Sequence, residues 1–312
     1  MPERRAFYVV FAIAAALVVP AAIALRTIIH PAILQPSSDN STPLGYTWSL
    51  LLFVVPIGAL GWWFACRPDL IFPRKAFWRT IAVLAPLGFL LDLLFGNAFF
   101  IFPNRAATLG WDVPATGGGI PIEEFVFYLT GFMLVLLSYI WCDEYWMAAY
   151  NVPDYKAAAE GIPRIVRFHF ASVLLGVLLI AAAIVYRKCL SGASDGFPWY
   201  FIYLVCASLI PSAGFFHTAQ PFINWRAFSF TFFLLLLLSL LWEVTLALPY
   251  GWWEYRRDIL VGLHIGAWSG LPIEAVCVWF AVTFTTIITY EVIKIWKALG
   301  TRALEAFFGI RK

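Results

Sequence analysis

Apolar residues fill this chain in blocks of about twenty, separated by short segments rich in Arg, Lys, Pro and Gly. An α-helix needs ~20 such residues to cross the hydrocarbon core of a bilayer. The pattern predicts eight transmembrane helices, near residues 6–26, 46–66, 77–102, 121–142, 168–187, 198–216, 227–249 and 271–296. The first run, Phe7 to Leu25, resembles an uncleaved signal segment, but Pro20 interrupts it and no clean small-residue cleavage site is forced, so it reads as a membrane helix. The expected fold class is an all-α polytopic membrane protein. Composition agrees: 62% of residues are hydrophobic, only 12% are charged, and mean hydropathy is +0.83, where soluble domains carry roughly 25% charge.

Basic residues orient the spans. Arg4, Arg5, Arg67, Arg74, Lys75, Lys294, Lys297 and most of the other basic residues fall on one side, whereas Arg26, Arg105, Arg187, Lys188, Arg256 and Arg257 fall on the other. The positive-inside rule then places both termini in the cytoplasm and the loop before residue 121 outside. The last stretch, KIWKALGTRALEAFFGIRK, reads either as an interfacial amphipathic helix or as a frayed basic tail. A net charge of +3 suggests no nucleic-acid partner; the bilayer is the partner implied. The five cysteines (Cys66, Cys142, Cys189, Cys206 and Cys277) have no paired spacing and read as buried, inert thiols. The four histidines form no HxxxH or HExxH, so no metal is expected.

The chain also repeats itself. Shifted by 151 positions, residues 75–146 fall on 226–297 without a gap: KAFWRT meets RAFSFT, Asp92 meets Glu243, Arg105 meets Arg256, Tyr139 meets Tyr290, and GIPIEE (119–124) meets GLPIEA (270–275). Apolar matches carry little weight in so apolar a chain, but matched acids, a matched arginine and a matched G-x-P-I-E at one offset do. The expectation is two parallel four-helix repeats, residues 1–150 with a PIEE motif and 151–312 with a PIEA motif and the tail, bringing both acidic motifs to one interface.

Five acids stand out. Asp92 and Glu243 sit inside apolar spans, where an ionisable group costs ~3 kcal/mol or more and is usually functional or paired; the repeated arginines are the obvious ion-pair partners. Glu123 and Glu124 follow Pro121 in a first helical turn, which suits carboxylates through the helix dipole. That alone does not account for the recurrence of Glu123 as Glu274 beside a repeated Pro and Ile. Neighbouring positions on a helix point about 100° apart, so Glu123 and Glu124 cannot face the same way. Two carboxyls in an apolar site also oppose each other's ionisation. The aromatics behind them (Phe125, Phe127 and Tyr128, then Trp279 and Phe280) either stabilise a cation through their faces or form an interfacial belt.

Absences narrow the chemistry. The chain has no GxGxxG near its start, no Asp-rich magnesium-diphosphate motif, no lysine in mid-span, and no GK[ST] after the Gly117–Gly119 run. Proton donors in an apolar, aromatic setting remain, and no cofactor is expected.

An acid in an apolar helix, then a loop, then PIEEFVFY, with the acid and a G-x-P-I-E recurring, resembles the membrane-integral lycopene cyclase domain family of bacteria, archaea and fungi, which is unrelated to the flavoprotein cyclases. The similarity covers roughly residues 46–146 and 198–297. It implies an enzyme of carotenoid biosynthesis in a bacterial cytoplasmic membrane, closing the ψ ends of lycopene into β-ionone rings without redox change. Its substrate would be a lipophilic polyene or another isoprenoid. The motif points to Glu123 and Glu124 as acid and base, with Glu274, Asp92 and Glu243 as partner acids and Phe127, Tyr128 and Trp279 about the cation. Glu123→Gln is accordingly expected to abolish ring formation. One departure is Ala275, where the second copy lacks the second acid; an asymmetric acid/base site centred on Glu124 follows. Two alternatives stay open: a cyclase or hydratase of another isoprenoid, and a proton-coupled transporter built from parallel repeats.

Overall fold

The computed structural model describes residues 42–310 apart from 193, 194 and 269, together with Val18 and Ala22. The span expected at 6–26 lies outside the described residues. Among those described, seven helices are long and apolar enough to cross a membrane: α1 Gly45–Cys66, α2 Arg74–Phe99, α3 Ile122–Trp141, α4 Phe170–Val185, α5 Trp199–Ala219, α6 Trp225–Trp242 and α7 Glu274–Leu299. Three of them, α3, α4 and α6, continue into five-residue π-helical turns at Cys142–Trp146, Tyr186–Leu190 and Glu243–Ala247. Side chains such as Trp62, Ile210 and Phe233 face outward with 73%, 76% and 62% of their surface exposed. Water does not tolerate such a belt, but a bilayer does. The protein is a membrane-integral helical bundle.

α7 packs on α2, α3, α5 and α6, while α3 packs on α1, α2, α6 and α7. The most apolar windows of α3, α6 and α7 are 56% buried, against 17–28% for the other four, so these three form the core. The fold is not purely helical. Three short antiparallel pairs cap one end: β1 (Phe100–Ile101) with β4 (Glu254–Tyr255), β2 (Asp112–Ala115) with β3 (Gly118–Pro121), and β5 (His264–Ile265) with β6 (Leu271–Pro272). The third apolar span therefore ends at Phe99 instead of 102. Phe100 and Ile101 are apolar but extended, because their backbones pair with Tyr255 and Glu254, and a short apolar run does not distinguish strand from helix.

The opposite end holds a polar cluster. Tyr139 and Tyr155 donate to the Glu291 carboxylate at 3.1 and 2.7 Å. Lys294 Nζ lies 3.5 Å from Glu291 Oε1 and 3.6 Å from Asp143 Oδ2, and 4.5 Å from the centre of the Tyr155 ring. Burial and the Glu291 carboxylate push the Tyr155 hydroxyl well above its ordinary value, so it remains a donor. Removing the Lys294 ammonium from such a cluster leaves buried carboxylates uncompensated. Lys294→Met is expected to cost about 3 kcal/mol, read as a lowered unfolding midpoint in lipid nanodiscs.

The C-terminal stretch is neither one amphipathic helix nor a frayed tail as far as Ile310. Gly300, at φ +66°, terminates α7. A separate short helix, Ala303–Phe308, then docks by accepting hydrogen bonds from Ile165 and Val166 N–H at Ala306 and Phe307. The cysteines also depart from expectation. All five are free, but only Cys142 is buried, and Cys66 and Cys189 are exposed.

Candidate functional site

The acidic motif is placed by a hairpin. In β2–β3, Asp112 pairs with Pro121 and Ala115 with Gly118, and Gly117 turns the chain at φ +82°, a conformation that favours glycine. Thr116 N–H donates to Leu93 O at 2.9 Å and Asn97 Nδ2 to Thr116 O at 3.2 Å, so the hairpin folds back onto α2. The glycine run is thus a turn, and Pro121 delivers the chain directly into α3, whose first turn carries Glu123 and Glu124.

The two glutamates diverge as helical geometry requires. Glu123 Oε1 accepts from Thr47 Oγ1 and, at 2.7 Å, from Leu109 N–H. Its matched residue does the same work: Glu274 Oε1 accepts from Val261 N–H at 2.6 Å. Each ties the loop before its helix to the helix start. Each is buried, with its second oxygen unpaired, and neither lines the cavity described below. Glu123→Gln retains an acceptor for Leu109 N–H. The replacement is expected to cost about 1–2 kcal/mol of stability, read by thermal unfolding.

Glu124 faces inward. Between the starts of α3 and α7 and the end of α6 lies a cavity of about 40 Å³. Glu124 and Glu243 both line it, among Tyr46, Phe127, Tyr128, Tyr200, Trp253, Tyr255 and Trp279. Among the described residues that line it, none is a lysine or arginine. Each carboxylate is held by a phenol. Tyr46 Oη donates to Glu124 Oε1, and Tyr255 Oη donates to Glu243 Oε2 at 3.0 Å. Burial, then the Glu243 carboxylate, push the Tyr255 hydroxyl well above its ordinary value, which keeps it a donor. The Glu243 carbonyl accepts from Leu248 N–H at 3.0 Å in the π-helical turn, an irregularity frequent at functional sites.

The rings are packed against one another as a wall. Ring centres of Trp242 and Trp253 are 4.8 Å apart, those of Tyr46 and Trp253 5.2 Å, and those of Phe127 and Trp279 5.6 Å. The indole N–H of Trp279 lies beside Glu243 without closing a hydrogen bond. Such a chamber combines two carboxyls with several π faces, and ring quadrupoles of that kind stabilise a cation.

Of the residues expected from sequence, Glu124, Glu243, Phe127, Tyr128 and Trp279 meet in this cavity. Asp92 does not line it. It is buried on α2 with Oδ2 unpaired, near enough to Glu124 for the two carboxyls to feel each other's charge. Its Oδ1 would sit 2.6 Å from a Cβ at position 96, so Gly96 makes room for it. Phe125 packs instead on Phe89, and Phe280 is 42% exposed on another face of α7. The repeated arginines do not pair with the acids. Arg105 binds Asp112 at 2.9 Å and Arg256 Nε donates to Asn97 O at 2.9 Å; the cation acting on Glu274 is Arg187.

Sequence reasoning missed Tyr46, Tyr200, Trp253 and Tyr255. Tyr46 and Tyr200 open spans, where aromatics read as belts. Trp253 and Tyr255 belong to the loop GWWEY, whose three aromatics in five positions were the available signal. Strand pairing sets Tyr255 opposite Phe100, a second lining residue. Among the described residues, no group of three or more His, Cys, Asp or Glu is arranged to hold a metal ion. No family model, no curated protein and no solved structure matches the chain.

Proposed function

We infer that this chain is a membrane-embedded, redox-neutral cyclase of an acyclic isoprenoid, closing the ψ ends of lycopene into β-ionone rings. The single observation that carries the reading is the pair Glu124 and Glu243, each held by a tyrosine, in one aromatic cavity without a basic lining residue. Glu124 protonates the terminal C=C of the substrate. The tertiary cation that results is attacked by a neighbouring C=C, which closes the ring and moves the charge to a ring carbon. Glu243 removes a proton from the adjacent carbon, leaving the ring alkene. One proton enters and one leaves, so no electron carrier is consumed. An alkene is a very weak base, so the acid must carry its proton in a site that excludes water.

The same reading makes the chain a duplicated unit, residues 1–150 and 151–312, with both termini cytoplasmic. Its support lies in the elements that recur at the shift of 151: α2 with α6, the hairpin β2–β3 with β5–β6, α3 with α7. The pairing of Phe100 with Tyr255 and the bond from Asn104 N–H to Gly251 O are also exchanged by that shift. The duplicated acids Glu123 and Glu274 hold loops, while the unduplicated Glu124 faces the cavity. A transporter would need acids along a continuous route across the bundle, whereas the cavity walls on the side of Asp143 and Glu291 are almost wholly apolar.

Expression in cells that accumulate lycopene, with pigments resolved by chromatography and mass, tests the assignment. Cyclic products are expected; unchanged lycopene beside verified membrane expression would overturn it.

A further inference from the structure

The acid cavity does not end at Trp279. A second cavity, narrow and of about 30 Å³, shares Phe127, Gly131 and Trp279 with it. A third, of about 50 Å³, shares Phe53, Ile57, Leu134 and Leu238 with the second. Along α3 the lining residues descend in order, from Glu124, Phe127 and Gly131 through Thr130 and Leu134 to Ser138 and Trp141. Seventeen residues at 1.5 Å each make this path about 25 Å long, most of the ~30 Å hydrocarbon thickness. The walls below Glu124 and Glu243 are almost wholly apolar, and the Thr130 hydroxyl is engaged by Val126 O at 2.8 Å. The lower cavity is bounded by α1 and α6, which both pack on α3 and meet above this cavity where the rings of Phe53 and Trp242 lie 5.2 Å apart. Leu52 on its rim is 48% exposed.

Gly131 stands at the junction. Glycine inside a helix costs about 1 kcal/mol relative to alanine, so its place in mid-α3 needs a local reason. A Cβ there would be 3.9 Å from the Trp279 ring, in ordinary contact. A larger side chain would fill the gap between the upper cavities.

We propose that the three cavities form one tunnel that threads a linear apolar substrate along α3, entered from the bilayer between α1 and α6, with Gly131 as the gate through which its end reaches the acids. The proposal rests on the cyclase reading for its substrate, and adds where the unreacted length lies and how many ends are served at once. Among the described residues one acid cavity closes the tunnel, so one substrate end reacts per binding event. A singly cyclised product must leave and re-enter reversed before its second end can close.

The test separates binding from chemistry. Glu124→Gln protein in lipid nanodiscs is titrated with lycopene, and the bound polyene is followed by its induced circular dichroism. The tunnel predicts a saturable signal there, at least tenfold weaker binding when Leu134→Trp is added, and retained binding with Gly131→Leu. In the otherwise unaltered protein, Gly131→Leu should lower ring formation at least tenfold. The singly cyclised product should precede the doubly cyclised one in time. No saturable lycopene signal, or a Leu134→Trp protein of unchanged unfolding midpoint that binds equally well, would overturn the tunnel. Bound but uncyclised lycopene in the unaltered protein would instead leave the tunnel standing and remove the cyclase assignment.

Discussion

Replacing Glu124 by glutamine is expected to reduce ring formation by about 100- to 10,000-fold, the range over which general acids contribute, while the protein still inserts and folds. The amide oxygen can accept from Tyr46 Oη as the carboxylate does, so the variant loses the transferable proton and keeps the geometry. Pigment analysis of lycopene-accumulating cells, with the membrane content of the variant quantified in parallel, measures the effect. Tyr46→Phe separates acid from positioner. Tyr46 is fully buried beneath Trp252 and Trp253, and the phenylalanine keeps those ring contacts while releasing the Glu124 side chain. Activity should fall less than with Glu124→Gln, and the pH profile of turnover should shift because the acid loses its hydrogen-bond donor. A loss that leaves the profile unmoved would assign Tyr46 a structural part only.

Glu243→Gln should cost a similar 100-fold or more, for the complementary reason that the cation has no base to release it. The acid step remains available in this variant, so its cation is expected to be trapped by water or to revert. Small amounts of hydroxylated or isomerised products should therefore accompany the loss, which Glu124→Gln should not show. Combining the two should cost little more than either alone, since residues acting as a unit are not additive. The quantity to measure is products per folded molecule for both single variants and the double.

Much of this architecture was legible in the chain. Apolar runs located the seven described spans, because a helix is the only open-chain way to satisfy backbone polar groups in lipid. Asp92 and Glu243 were visible for the same reason: an acid in an apolar run is costly. The face of each residue was harder to read. Lipid and protein interior are both apolar, so hydropathy does not separate exposed Cys66 and Phe280 from buried Cys142 and Trp279. The recurrence of Glu123 as Glu274 marked something worth repeating, but repetition preserves scaffolding as readily as chemistry, and here both hold a loop N–H. The asymmetry between PIEE and PIEA was the better guide, since it singled out Glu124. Tyr46 lies 78 positions from Glu124, and no local pattern announces such a partner. The extended turn of Phe100 and Ile101 depended on a strand more than 150 residues away.

Isotope incorporation examines the central claim, that a carboxyl in this cavity protonates a substrate alkene. The proton added to the terminal C=C stays in the product, because the one lost leaves from a different carbon. Protein in lipid nanodiscs, equilibrated in deuterated water so that Glu124 carries deuterium, is given lycopene and its products are weighed by mass spectrometry. One deuterium per ring closed is the expected result, vanishing together with the rings in Glu124→Gln. Rings without deuterium, or rings formed undiminished by Glu124→Gln, would contradict it.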